Sequence, residues 1–236
     1  MLYKLDLSKV LFLDIETVPA EAEFSKLSEK MQALWEKKTK YLKADEDATA
    51  ESLYERAGIY AEFGRIICIS VGIFNGNEFR LKSFFGDDEK ILLDEFAFML
   101  NSHYNQADQL LCAHNGKEFD FPYIARRMVI NGTELPEILQ MAGKKPWEIR
   151  HLDTMELWKF GDYKNYTSLE LLTTVFEIPT PKDDIDGSMV RSVYYEDHDL
   201  PRIVEYCQKD VLAIAQLMRR YLNQPLIRDE HVVFTS

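Results

Sequence analysis

Residues 10–16, VLFLDIE, run apolar until two acids close the run. An unbroken apolar stretch of this length suggests a strand buried on both faces, and such strands belong to sheets covered by helices on either side. The polar end of the strand then opens on a cleft, with Asp14 and Glu16 at its mouth. Two residues apart on a strand, these carboxylates share one face of the sheet. Like charges so placed need a cation or open water between them.

The rest of the chain supplies the partners such a strand requires. Residues 21–43 carry Phe24, Leu27, Met31, Leu34 and Trp35 at helical spacing, and 49–60 read as a second short helix, so a helical insertion is expected at about 20–60. GRIICISVGIF (64–74) and NEFRLKSFF (77–85) are joined through Asn75-Gly76, a strong hairpin signal. Asp87 and Asp88 open a helix over about 88–104 that turns Ile91, Leu92, Leu93, Phe96 and Leu100 inward. QLLCAH (109–114) reads as another buried strand, followed by a helix over about 120–131 that stops at Asn131-Gly132. IRHLDT (149–154) reads as a fifth strand, and Thr167 with Glu170 fits a capping box for a helix ending near Phe176. A loop at 180–187 precedes a last long helix over about 199–222, with Pro201 in its first turn. A strand, a hairpin and then strand–helix alternation give an α/β architecture: a mixed five-stranded sheet flanked by helices. The 236 residues fit a single domain, 1–236, carrying the insertion.

Composition narrows the class. With 46% hydrophobic and 29% charged residues the chain sits near the globular average. No stretch reaches the roughly 18 apolar residues of a membrane helix, and the first residues lack a secretory layout, so a cytoplasmic protein with no membrane partner is expected. Cys68, Cys112 and Cys207 form no CxxC or Cys/His cluster, and Cys68 and Cys112, within apolar runs, read as core thiols. A net charge of -12 argues against a protein that coats nucleic acid. It is compatible with an enzyme gripping only the last few nucleotides of a strand. The local basic clusters, Lys37, Lys38, Lys40 and Lys43, Arg126 with Arg127, Lys144 with Lys145 and Arg219 with Arg220, read as solvated faces.

Three further residues change the weight of the first two. Asp120 follows the strand that ends near His114, at a helix start where its charge suits the helix dipole. Tyr206 and Asp210, four apart, stack on one face of the last helix. Each alone has an ordinary explanation. Together they occur in the order strand, strand–helix junction, late helix, and each segment puts a carboxylate where a mixed sheet exposes a cleft.

In this order and spacing the sequence resembles the DEDD superfamily of 3′-to-5′ exonucleases, which have an RNase H-like fold. Asp14-Ile15-Glu16 is similar to the first motif, Asn115-x-x-x-Phe119-Asp120 to the second and Tyr206-x-x-x-Asp210 to the third. The tyrosine resembles that of the DEDDy branch; in the histidine branch the base lies five residues before the last aspartate, where this chain has Glu205. EFGRIICISVG and KDDIDGSMV resemble stand-alone bacterial relatives of the proofreading domain of family-B DNA polymerases, and the likeness spans roughly residues 10–222.

The resemblance implies a metal-dependent 3′-to-5′ exonuclease that uses two Mg2+ or Mn2+ ions to release nucleoside 5′-monophosphates from DNA, with single-stranded ends favoured. Exoribonuclease action by the same chemistry is the alternative, and a non-catalytic nucleic-acid-binding scaffold the third reading. Asp14 would bridge both metals, Glu16 and Asp210 would hold the metal that binds the attacking water, Asp120 would steady the second metal, and Tyr206 would orient the water. Cations about 3.5–4 Å apart stabilise both attacking and leaving oxygens, and hard oxygen ligands select magnesium or manganese. Thr17, Asn115 and Phe119 are the candidate substrate contacts; their structural readings are a turn partner, a turn former and an inward-packed ring. Phe121 and Tyr123 read as base-stacking or core residues, Asp153 as a site acid or a helix N-cap, and His114 and His151 as structural histidines. Lys182, Asp186 and Gly187 fall in a loop beside the expected cleft, with no role assigned. The 26 residues after Asp210 leave no room for a polymerase domain, so proofreading or repair is expected in trans, with a polymerase or repair partner.

Overall fold

The chain runs through strand β1 (Val10–Pro19), helices α1 (Glu29–Thr39) and α2 (Ala50–Leu53), strands β2 (Gly64–Asn75) and β3 (Glu78–Phe85), helix α3 (Glu89–His103) and strand β4 (Leu110–Ala113). Helix α4 (Asp120–Asn131), strand β5 (Leu152–Asp153), helices α5 (Thr154–Lys159), α6 (Leu169–Val175), α7 (Val190–Tyr195) and α8 (Leu200–Tyr221), and strand β6 (Val232–Phe234) complete it. The computed structural model describes residues 5–42, 47–162, 166–179 and 185–235. Lys43, Lys182 and most of the expected 180–187 loop lie outside the described residues.

The sheet has the order β5-β4-β1-β2-β3-β6. The β1–β2 and β2–β3 pairs are antiparallel; β1–β4, β4–β5 and β3–β6 are parallel. The α/β expectation is met, with a sixth strand that sequence reading did not assign: three residues after α8, too short to leave a pattern. β1 is central and its alternation sorts the two layers. Leu11, Leu13 and Ile15 pack with Leu93, Phe96, Ile124 and Met128 from α3 and α4. Val10 and Phe12 pack with Val211, Ile214 and Met218 of α8. Asp14 and Glu16 continue the α8 side.

The hairpin closes one residue further on than the Asn75-Gly76 signal, since Asn75 pairs with Glu78 and the turn is Gly76 and Asn77. Asp88 caps α3 by accepting from the Ile91 N–H at 3.1 Å. Ile91, expected inward, is 57% exposed, whereas Glu89 is buried. The α6 cap is Ser168, not Thr167: its hydroxyl accepts from Leu171 N–H at 3.2 Å. The expected strand at 149–154 shortens to Leu152–Asp153 because Asp153 turns the chain into α5. α4 stops at Gly132, whose φ of 67° only glycine adopts freely. Among the described residues no helix is long and apolar enough to cross a membrane.

The insertion between β1 and β2 is helical as expected, but only from Glu29, and Leu34 lies outside its core. That core is Trp35, ringed by Tyr54 and Phe63 at centroid distances of 5.7 and 5.0 Å, with the indole N–H donating to Ala50 O at 2.7 Å.

One buried ion pair joins four elements. Glu89 accepts from the Ile66 N–H at 2.7 Å, from Arg127 Nε at 2.8 Å and from Asn131 Nδ2 at 2.9 Å, and Arg127 also donates to Ala61 O at 2.8 Å. Arg127, expected on a solvated face, is thus a largely buried tie between α4, α3, β2 and the insertion. Removing one partner of such a pair strands the other charge, so Glu89→Ala is expected to cost about 3–5 kcal/mol. Urea unfolding checks this, and a loss under about 1 kcal/mol would rule the hub out.

Candidate active site

Where β4 ends, β1 continues alone on that edge. The β1–β4 ladder stops at the Phe12–Cys112 pair, and beyond it Asp120, at the first turn of α4, brings its carboxylate near the N–H of Ile15. The loop that brings Asp120 back is held by Asp153. Its carboxylate accepts from the N–H groups of Asn115 (3.0 Å) and Lys117 (3.1 Å) and also caps α5 through Met155 and Glu156. The N-cap reading of Asp153 is therefore correct, and the same group anchors the second motif. Asn115 turns the loop at φ 62°, and Gly116 packs so closely that a Cβ would stand 2.4 Å from that of Ala113.

The third segment arrives on α8. Asp199 caps that helix, and Gln208 ties it across the sheet by donating to Ser83 Oγ at 2.9 Å, itself 2.8 Å from Ser70 Oγ. Ser70 is the register partner of Asp14, and Cys68 that of Glu16, after which a bulge between Glu16 and Thr17 shifts the ladder. Tyr206 hydrogen-bonds Asp210 on the same helix face, as their spacing implied. Glu205 instead pairs with Lys209 at 2.9 Å on the exposed flank.

Asp14, Glu16, Asp120, Asp210 and Tyr206 thus converge from three segments, and the carboxylates raise one another and the tyrosine. Burial, and then the charges of Asp210, Asp120 and Glu16, hold the Asp14 carboxyl well above the usual range. Glu16, 7% exposed, is raised by burial and by Asp210, Cys68 and Asp120. Asp120 is pushed up to about 7 by burial, against the opposing N–H of Ile15. Burial, and then Asp210, Glu16 and Asp14, push the Tyr206 phenol far up, so it is a neutral hydroxyl at physiological pH.

A groove of about 910 Å³ leads to Glu16. Thr17 and Phe119, two of the candidate substrate contacts, line it together with Arg56 and Ile59 of the insertion, Ser188 before α7 and Arg191 on α7. Gly187 lines it too. Asn115 does not: it borders a separate pocket with Lys117, Asp153 and Lys159. Phe121 and Tyr123 are core, the tyrosine hydroxyl donating to Gly58 O at 2.6 Å. His114 and His151 are structural, bonded to Thr154 and Thr167 and to Leu111 and Ile138. α7 was not foreseen; Tyr195 and Arg191 moor it to Pro19 O and Ala22 O at 2.6 and 2.7 Å. Cys207, a residue given no role from sequence, touches the site, its Sγ 3.5 Å from Asp14 Oδ2. Its place three residues before Asp210, on the Tyr206 face, was the available signal; nothing local marks Arg56 or Arg191.

A family model described as RNase_H superfamily matches residues 54–222, a span that includes Asp120, Tyr206 and Asp210 and begins after Asp14 and Glu16. Among solved structures, that of the family B DNA polymerase from the hyperthermophilic archaeon Pyrobaculum calidifontis is similar over 91% of this chain, at 13% identity and a TM-score of 0.51. The likeness is one of fold, and the chain spans 24% of that polymerase's length. No curated protein matches the chain.

Raised carboxyls set a pH dependence. The metal-free Asp120 carboxyl titrates near 4 when unfolded and at about 7 when folded. Its contribution to stability is complete below about pH 4 and is lost as pH rises through about 7. Metal-free protein should therefore melt at a lower temperature at pH 8 than at pH 5.5, and Asp120→Asn should flatten that dependence. Melting curves followed by circular dichroism that rise with pH would contradict the assignment.

Proposed function

The chain belongs to the RNase_H superfamily, and from that premise we propose that it is a metal-dependent 3′-to-5′ exonuclease that releases nucleoside 5′-monophosphates from DNA ends. The observation that carries the reading is the clustering of Asp14, Glu16, Asp120, Asp210 and Tyr206, with Glu16 lining a groove.

The donor set fits hard divalent cations. The charges that raise Asp14 are those of Asp210, Asp120 and Glu16, and a divalent cation would offset their mutual repulsion. Four carboxylates suit Mg2+ or Mn2+, and Asp14, Glu16, Asp120 and Asp210 would hold two such ions. When bound, these would supply Lewis acidity toward the phosphate and a water activated for attack.

The chain's own groups do the remainder. Asp120 keeps its position through the Asp153-held loop, so the second motif is set before substrate arrives. Tyr206, a neutral hydroxyl bonded to Asp210, positions water by hydrogen bond and is no proton acceptor at physiological pH. The groove is at the upper end of the roughly 300–1,000 Å³ of ligand clefts, room for the end of a strand. Its lining mixes Arg56 and Arg191 with Glu16, Glu55 and Glu196, which suits few phosphate contacts and agrees with the net charge of -12. A polymerase or repair partner in trans accords with the fold shared with a family B polymerase.

Asp14→Ala and Asp210→Ala are each expected to lower release of mononucleotides from a 5′-labelled oligonucleotide by roughly 10³-fold or more. Activity near wild type in either would sink the site assignment. Tyr206→Phe should lose roughly 10²-fold while calorimetry shows Mn2+ binding unchanged; an unaltered rate removes the tyrosine from the mechanism. Matched single-stranded DNA, duplex DNA and RNA ends should be digested in that order of preference, and faster loss of RNA would make the enzyme an exoribonuclease.

A further inference from the structure

Beneath the carboxylates lies a thiol. Cys207 is fully buried on α8, with Sγ 3.5 Å from Asp14 Oδ2 and 3.4 Å from the Asp14 carbonyl oxygen. One oxygen of Asp14, one of Glu16 and this sulfur all lie within 4.8 Å of one another. Glu16 is a separate sign that a ligand belongs there: its side chain is more than nine-tenths buried and lines the groove, and no donor among the described residues reaches its carboxylate.

We propose that Asp14, Glu16 and Cys207 form a capture site for a thiophilic divalent cation, zinc above all, competing with the hard cations used for hydrolysis. The proposal rests on the reading of Asp14 and Glu16 as metal ligands. An all-oxygen set favours magnesium or manganese, whereas a thiolate moves the preference toward zinc and softer ions. Zinc binds oxygen at about 2.0–2.2 Å and sulfur at about 2.3 Å, which around a tetrahedron sets the two donors about 3.5 Å apart. Cys207 and Asp14 already stand at that separation. Binding forms an S–Zn bond as the thiol proton passes to solvent, and water completes the fourth position. Cys68, on β2 opposite Glu16, packs against Cys207, whereas Cys112, on β4, lies outside the three-ligand group and provides the internal control.

Metal-free full-length protein titrated with cadmium, zinc's spectroscopic surrogate, should develop an ultraviolet sulfur-to-metal charge-transfer band at one equivalent. Cys207→Ser should abolish the band and weaken zinc binding by about tenfold or more in calorimetry, while Cys112→Ser keeps both. No band in wild type, or a band that survives Cys207→Ser, overturns the proposal. Should Cys207→Ser fail to fold, X-ray absorption on zinc-loaded wild type decides: a sulfur neighbour near 2.3 Å supports the site, and oxygen or nitrogen neighbours alone overturn it. The band does not depend on turnover. An active exonuclease without it refutes only the thiol site, and an inactive protein that shows it refutes only the exonuclease reading.

Discussion

The central strand outruns its parallel neighbour, and the site follows from that mismatch. β4 pairs with β1 only as far as Phe12, leaving the edge of Asp14, Ile15 and Glu16 without a strand partner on that side. Asp120 stands beside that edge, its carboxylate near the Ile15 N–H. The turn that starts α4 therefore delivers the second motif to the first. The cost is electrostatic: several carboxyls share a low-dielectric corner and raise one another.

That corner is held open by groups that never touch it. Asp153 fixes the loop before Asp120 and starts α5; Gln208 sets α8 against β3; Glu89 and Arg127 bind α3, α4, β2 and the insertion. The insertion and α7 then rise on either side of the end of β1, and the groove between them runs to Glu16. A rigid sheet thus presents the acids, while less regular elements shape what approaches them.

Much of this was legible residue by residue. The apolar run ending in Asp14 and Glu16 gave a buried strand, the Asn75-Gly76 turn a hairpin, and Asn131-Gly132 a helix stop, because each rests on local backbone or side-chain physics. Tyr206 and Asp210 were readable as face-sharing on one helix. The misreadings were those that depend on distant neighbours. Ile91 has helical spacing but lies on the outer flank of α3, while Glu89 is buried because Arg127 and Asn131 meet it. Asn115, read either as a substrate contact or as a turn former, turns its loop and borders a pocket other than the groove. β6 and α7 are too short to carry a period, and long-range contacts stabilise them.

By itself the sequence determined which residues could do the chemistry: acids two apart on a strand, an acid at a helix start, and a tyrosine four residues before an acid. Periodicity and spacing are properties of one element at a time, so they survive without tertiary information. Only the tertiary structure decided that these segments meet, that Cys207 stands beside Asp14, and that the insertion and α7 frame the approach. Those facts arise from packing between residues as far apart as Asp14 and Cys207, where separation in the chain says nothing of separation in space.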